Sequence, residues 1–124
     1  MPRVLLIEDD ATMLSLLTTL LKLEGFEVRN LEVGEKTDII GGVREANPDV
    51  LLMDVHLAGE RNGVEVLREM RAQDDLKSLA VIMSSGMPLE EDCMRAGATH
   101  FLLKPYMPDA LIKVIKGSIA AKLQ

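Results

Sequence analysis

An α/β fold, a parallel β-sheet wrapped by helices, is predicted by three features of this 124-residue chain. Two short runs, Val4-Leu5-Leu6-Ile7 and Val50-Leu51-Leu52-Met53, are continuously apolar rather than alternating, as in strands buried on both faces. Strand and helix patterns then alternate along the whole sequence as five β-α units, which implies parallel strands joined by right-handed crossovers. Finally, both runs end in acid, Glu8 and Asp9 after the first and Asp54 after the second. Ligands of open α/β sheets bind just outside the carboxyl ends of their strands.

The elements follow in order. Strand one covers residues 3–7 and helix one 11–23, with Leu14, Leu17 and Leu21 at helical spacing and Gly25 as the stop signal. A weaker strand spans 26–31. Helix two is expected over 35–46, although Gly41-Gly42 lies inside it and lowers its stability, and Pro48 ends it. Strand three covers 49–53. A loop over 55–62, punctuated by Gly59 and Gly63, leads to helix three, which places Val64, Leu67 and Met70 on its buried side and runs to about residue 73. Strand four (79–84), a short helix four (89–96), strand five (99–103) and a fifth helix complete the pattern. Pro108 and Asp109 suit the start of that last helix, and Leu111, Ile112, Ile115 and Ile119 form its apolar stripe.

Residues 1–124 are expected to form one domain, large enough to bury roughly two-thirds of its unfolded surface. A net charge of -6 argues against a nucleic-acid surface, which needs clustered Lys and Arg. Phe26, Phe101 and Tyr106 are the only aromatics, so base-stacking platforms are missing as well. Cys93 is the lone cysteine, which excludes an intramolecular disulfide or a multi-cysteine metal site. The apolar run after Arg3 is too short for a signal peptide, and residues 13–23 are too few and too interrupted by polar groups to span a bilayer. A soluble, cytoplasmic protein with no membrane partner is the expectation.

The acidic trio Glu8-Asp9-Asp10 invites a capping explanation, because carboxylates favour helix N-termini. One acid fills that role, and Asp10 is assigned to it. Glu8 and Asp9 are then surplus negative charge at the mouth of the sheet, suited to a hard divalent cation. Magnesium fits best, since it takes few carboxylates, keeps waters and accepts phosphate oxygens. Asp54, held rigidly after four buried residues, can attack a phosphoryl donor and form an aspartyl phosphate. Phosphoryl transfer asks a protein mainly for positioning and charge neutralisation. Ser85 and Lys104 end strands four and five on the same side of the sheet, and a cis Lys104-Pro105 bond would aim the lysine inward. His56 and His100 lack a second ligand at metal-binding spacing; His56 is placed at the rim and His100 outward.

Acid pair, lone Asp, hydroxyl and Lys-Pro, in this order over essentially the whole chain, resemble the receiver domain of bacterial two-component response regulators. The resemblance implies a flavodoxin-like doubly wound sheet of five parallel strands in the order 2-1-3-4-5 with five helices, an order the receiver family itself exemplifies. It implies that Glu8 and Asp9 are the acid pair, Asp9 the more direct magnesium ligand, and Asp54 the phospho-acceptor. The third protein ligand would be the backbone carbonyl of His56. Ser85 and Phe101 map to the switch pair, and Lys104-Pro105 to the Lys-Pro motif. A histidine kinase or histidine phosphotransfer protein is the implied donor. The helix 4/strand 5/helix 5 face is the implied surface for a downstream protein target, for an output domain absent from this sequence, or for a homodimer. Such a protein is a switch rather than a turnover enzyme for an external substrate: it promotes its own aspartyl phosphorylation and dephosphorylation.

The sequence departs from the family pattern in detail. Ala58 stands at the usual proline, Glu8 at the usual Asp and Ser85 at the usual Thr, Gly86 follows the switch residue where Ala is common, and the loop from Asp54 to Gly63 is one residue longer than the commonest form. Three rivals fail on particular residues. A flavin binder would need a hydroxyl-rich phosphate loop where Glu8-Asp9-Asp10 stands. A haloacid-dehalogenase-type phosphatase would need a second Asp at the position of His56. A dinucleotide binder would need a glycine fingerprint after strand one. The remaining alternative, a degenerate receiver that binds a partner without being phosphorylated, differs by showing no magnesium-dependent labelling.

Overall fold

The computed structural model describes residues 1–122. Five strands form one parallel sheet: β1 (Arg3–Ile7), β2 (Glu27–Asn30), β3 (Val50–Asp54), β4 (Ala80–Ser85) and β5 (His100–Leu103), in the order 2-1-3-4-5. The helices α1 (Ala11–Leu23), α2 (Ile39–Ala46), α3 (Gly63–Arg71), α4 (Glu90–Arg95) and α5 (Pro108–Lys122) alternate with them. The strand pattern predicts the parallel sheet wrapped by helices, and the order is that of the flavodoxin-like fold which the resemblance implies. The last two residues of the expected 1–124 domain lie outside the described part.

The apolar runs are central because they are buried on both faces. Side chains of a strand alternate sides, so each run feeds two cores. Val4, Leu6, Val50, Leu52 and Ile82 join Leu17, Leu21, Leu111 and Ile115 beneath α1 and α5. Leu5, Ile7, Leu51, Met53, Val81 and Met83 join Ile39, Val43, Leu67, Met70 and Cys93 on the other face, beneath α2, α3 and α4. Burying each such Leu, Ile or Val stabilises the fold by about 1.5–3 kcal/mol, and a one-residue slip of any strand would exchange the two sets.

Capping sets the helix boundaries. Asp10 begins α1, its carboxylate accepting from the Thr12 and Met13 amides at 2.9 and 3.1 Å, and Gly25 follows the end at φ 91°, as the sequence suggested. The start of α2 is a correction: the helix begins at Ile39, not at residue 35. Asp38 caps it by accepting from the Gly41 amide, and the Gly34 amide donates to the Thr37 hydroxyl to hold a turn before it. Local side-chain hydrogen bonds have won over helix propensity there. The two glycines fit tightly, since a Cβ on Gly42 would lie 2.8 Å from Leu31. In the lengthened loop after β3 a 3₁₀ turn, Ala58–Glu60, was not foreseen; Gly59 and Glu60 adopt φ of 72° and 62° in it. No described helix is long and apolar enough to cross a membrane.

Candidate functional site at the carboxyl edge of the sheet

Glu8 follows β1, Asp54 ends β3, Ser85 ends β4 and Lys104 follows β5, so the parallel register delivers all four to one edge of the sheet. Carboxylate oxygens of Glu8, Asp9 and Asp54 lie within 4.8 Å of one another. Glu8 and Asp54 are buried while Asp9 is exposed at the rim. The Lys104 ammonium sits between the two buried acids, 3.1 Å from Glu8 Oε2 and 3.0 and 3.1 Å from the two oxygens of Asp54. The Lys104-Pro105 peptide bond is cis.

The electrostatics follow from two buried acids sharing one cation. Burial, together with the hydrogen bond and charge of Asp54, raises the Glu8 pKa to about 7; the Asp10 amide and Lys104 oppose the rise without cancelling it. Burial alone would lower the Lys104 pKa, but Asp54 and Glu8 outweigh it and leave the ammonium harder to deprotonate than usual. The donor set is therefore all oxygen, anionic and held slightly apart, which fits a hard cation of the magnesium type. Asp10 is elsewhere, engaged in its cap.

A pocket of about 200 Å³ opens above Asp54, lined by Asp9, Asp54, His56, Ser84, Ser85, Gly86 and Lys104. Sites for drug-sized ligands run to about 300–1,000 Å³, so the opening suits a phosphoryl group and an ion better than a flavin or nucleotide. Ser85 is buried, and its hydroxyl accepts from the Met87 amide at 3.0 Å rather than bonding to Asp54. Phe101 is half-buried against the α2/α3/α4 core, and His100 is exposed on β5. His56 borders the pocket and pairs with Asn62 across the loop.

Two residues that the sequence did not single out also belong to the site. Ser84, fully buried, donates from its hydroxyl to Asp54 Oδ1 at 2.6 Å. The signal was its register: Ser84 pairs with Asp54 and so projects from the same face. Tyr106 is half-buried nearby, its buried hydroxyl without a hydrogen-bond partner among the described residues and its pKa pushed up to about 12, chiefly by burial. Gly63 is the third element of the support, because a Cβ there would lie 2.3 Å from the Asp54 carbonyl oxygen.

Comparison with known proteins agrees with this geometry. Residues 4–116 match the family described as response regulator receiver domain. Protein PilH of Pseudomonas aeruginosa is 31% identical over 123 residues, covering 97% of this chain and 99% of PilH. The DNA-binding response regulator MtrA of Mycobacterium tuberculosis is 30% identical over 120 residues, covering 94% of this chain; the chain spans about half of MtrA, 50% of its length. Among solved structures, a putative response regulator from Chloroflexus aurantiacus superposes with a TM-score of 0.84 at 27% identity, covering 97% of this chain and 99% of that one. The receiver domain of the sensor histidine kinase PA1611 from Pseudomonas aeruginosa, described with a magnesium ion coordinated in the active site cleft, gives a TM-score of 0.77 at 26% identity, covering 96% and 98%. With the family match spanning nearly the whole chain, this protein belongs to the response regulator receiver domains.

Proposed function

We propose that this receiver is a phosphorylation switch whose acceptor is Asp54, fed by the phosphohistidine of a histidine kinase or histidine phosphotransfer protein. The observation that carries the reading is the Lys104 ammonium held between Glu8 and Asp54, with Asp9 in reach at the open edge. A magnesium ion held by Glu8, Asp9, Asp54 and the His56 carbonyl would neutralise the phosphoryl oxygens and hold the donor in line. An Asp54 oxygen then forms a bond to phosphorus as the donor P–N bond breaks, and that electron pair returns to the donor imidazole. Lys104 follows the charge to the new phosphoryl oxygens, leaving its place between the carboxylates.

Ser85 and Phe101 carry the signal outward in this reading. Both project toward the α2/α3/α4 side, since Phe101 pairs with Met83 and Ser85 lies two residues further along the same strand. A Ser85 hydroxyl drawn to the phosphoryl group vacates space that the Phe101 ring can enter, a local charge event that biases a packed surface. The surface reached is built from α4, β5 and α5, where Met94, Leu103 and Met107 are exposed. That face is proposed to receive a downstream protein, an output domain or a second copy of the chain, in the cytoplasm where a kinase can reach it. On this reading residues 1–124 act as one switch unit that turns over only its own phosphoryl group.

Intact-mass spectrometry after incubation with acetyl phosphate, or with a phosphohistidine donor, tests the proposal. A gain of one phosphoryl group is expected that needs magnesium and vanishes in Asp54→Asn. No gain from either donor would refute phosphorylation and leave a receiver that acts by binding alone.

A further inference from the structure

The hydroxyl of Ser84 has no part in the phosphoryl transfer proposed above, and its surroundings restrict what it can be doing. Ser84 is fully buried in β4, directly after Ile82 and Met83 of the two cores. A buried hydroxyl without a partner is costly, and an alanine or valine would fill an apolar strand position without that demand. The backbone around it is already committed: the Val55 amide donates to the Ser84 carbonyl at 2.9 Å. Its hydroxyl donates instead to Asp54 Oδ1 at 2.6 Å, a short bond of the charge-assisted kind. Asp54 is thus tied to β4 twice, through the backbone of the next residue and through its own carboxylate.

The two carboxylate oxygens are consequently unequal. Oδ1 receives the Ser84 hydroxyl and lies 3.0 Å from Lys104. Oδ2 receives the Lys104 ammonium at 3.1 Å and, among the described residues, no serine, threonine or tyrosine hydroxyl. Ser84 is anchored in a strand with no exposure, whereas Lys104 is a flexible side chain about a quarter exposed, so one oxygen is held rigidly and the other by a group that can leave. A carboxylate rotates about one bond, and fixing Oδ1 fixes where the lone pairs of Oδ2 point.

We propose that Ser84 is a positioning residue that sets the orientation of the Asp54 carboxylate, making Oδ2 the oxygen that takes the phosphoryl group and Oδ1 the one that becomes the carbonyl oxygen. This rests on the phosphorylation reading above. In the forward step an Oδ2 lone pair forms the bond to phosphorus while the donor bond to phosphorus breaks with its electron pair, to acetate from acetyl phosphate or to imidazole from phosphohistidine. Ser84 keeps its proton throughout. In hydrolysis water supplies the new oxygen, the Oδ2–phosphorus bond breaks, and the pair returns to a carboxylate that Ser84 again holds. The hydroxyl therefore serves both directions: it aims the nucleophile on the way in and steadies the leaving carboxylate on the way out.

The test measures initial phosphorylation rates against acetyl phosphate concentration, and the rate of phosphoryl loss, by intact mass in excess magnesium. Wild type, Ser84→Ala and Ser84→Thr are compared, with melting curves alongside. Ser84→Ala is expected to melt cooperatively, to lose about tenfold in maximal rate, as one bond to a reacting group warrants, and to keep its half-saturating donor concentration within about twofold. Its phosphoryl group should also persist several-fold longer. Ser84→Thr, which restores the hydroxyl, should recover most of the rate. A wild-type maximal rate in Ser84→Ala overturns the assignment, as does a loss confined to half-saturation. A Ser84→Thr variant that melts like wild type yet is as slow as Ser84→Ala overturns it too, because volume rather than the hydroxyl would then be at work. If wild type itself takes no phosphoryl group, the phosphorylation reading falls and this inference falls with it. If wild type is labelled and Ser84→Ala matches it, only this inference falls.

Discussion

Glu8 offers a direct measurement of the strain that two buried carboxylates impose when no cation is bound. Its folded pKa is raised from 4.5 to about 7, first by burial and then by Asp54. The folded state therefore holds a proton on Glu8 between about pH 4.5 and 7 that the unfolded chain has released, so stability declines as pH rises through that window. Above pH 7 the full cost is present: a pKa rise of this size corresponds to about 3 kcal/mol at about 1.4 kcal/mol per pH unit. Lys104 contributes no slope there, since its raised pKa gives stability that is lost only in the alkaline range. Replacing Glu8 by Gln imitates the protonated acid. Its amide oxygen at the Oε1 place can accept from the Asp10 amide at 3.1 Å and from Lys104 at 3.5 Å, while the NH₂ group that replaces Oε2 gives up the 3.1 Å bond from Lys104 and can donate toward Asp54. In EDTA at pH 8 Glu8→Gln should therefore melt up to about 12 °C above wild type, from about 3 kcal/mol at about 4 °C per kcal/mol. At pH 4.5 the two should converge. Millimolar magnesium should raise the wild-type melt by mass action and raise Glu8→Gln by less, since one of the acidic ligands is gone. A variant that is no more stable at pH 8, or whose advantage persists undiminished at pH 4.5, would refute the charge argument.

Two further predictions concern the scaffold. Gly63→Ala sets a Cβ against the Asp54 carbonyl oxygen, a backbone atom that cannot turn aside; a loss of about 3 kcal/mol in urea unfolding is expected, with slower labelling of Asp54 in the fraction that folds. Asp10→Ala removes the acceptor for the Thr12 and Met13 amides at the head of α1, so it should cost about 1 kcal/mol in the same assay while leaving the magnesium response intact.

The sequence made most of the fold legible because buried strands and capped helices leave local marks. The bounds of α1 could be read from Asp10, the leucine spacing and Gly25, and they match. The first turn of α2 could not. Glu35, Lys36 and Thr37 read as acceptable helix, and side-chain bonds of Thr37, Asp38 and the distant Arg61 draw them into a turn. The 3₁₀ turn after β3 was equally hidden, since its conformation depends on Glu60 accepting a positive φ and on Arg61 reaching the Gly34 and Thr37 carbonyls at 3.0 and 2.6 Å. Long-range partners of that kind have no sequence period to announce them.

The same limit explains why Ser84 escaped notice while Ser85 did not. At the end of an apolar run two adjacent serines look equivalent, and strand boundaries read from sequence are uncertain by more than one residue. Pairing register removes the ambiguity, because neighbours on a strand face opposite ways. Asp54 is level with Ser84, so Ser84 shares its face, and Ser85 must look toward the side that holds Phe101. On the proposed reading the serine pair divides two tasks between two faces of one sheet: one hydroxyl orients the carboxylate, and the other would pass a change at that carboxylate to α4 and β5. A design that moved either hydroxyl by one position would keep the composition and lose the division. This is why the order of residues at the strand end, more than the presence of an acid, a lysine and a hydroxyl, determines what the site can do.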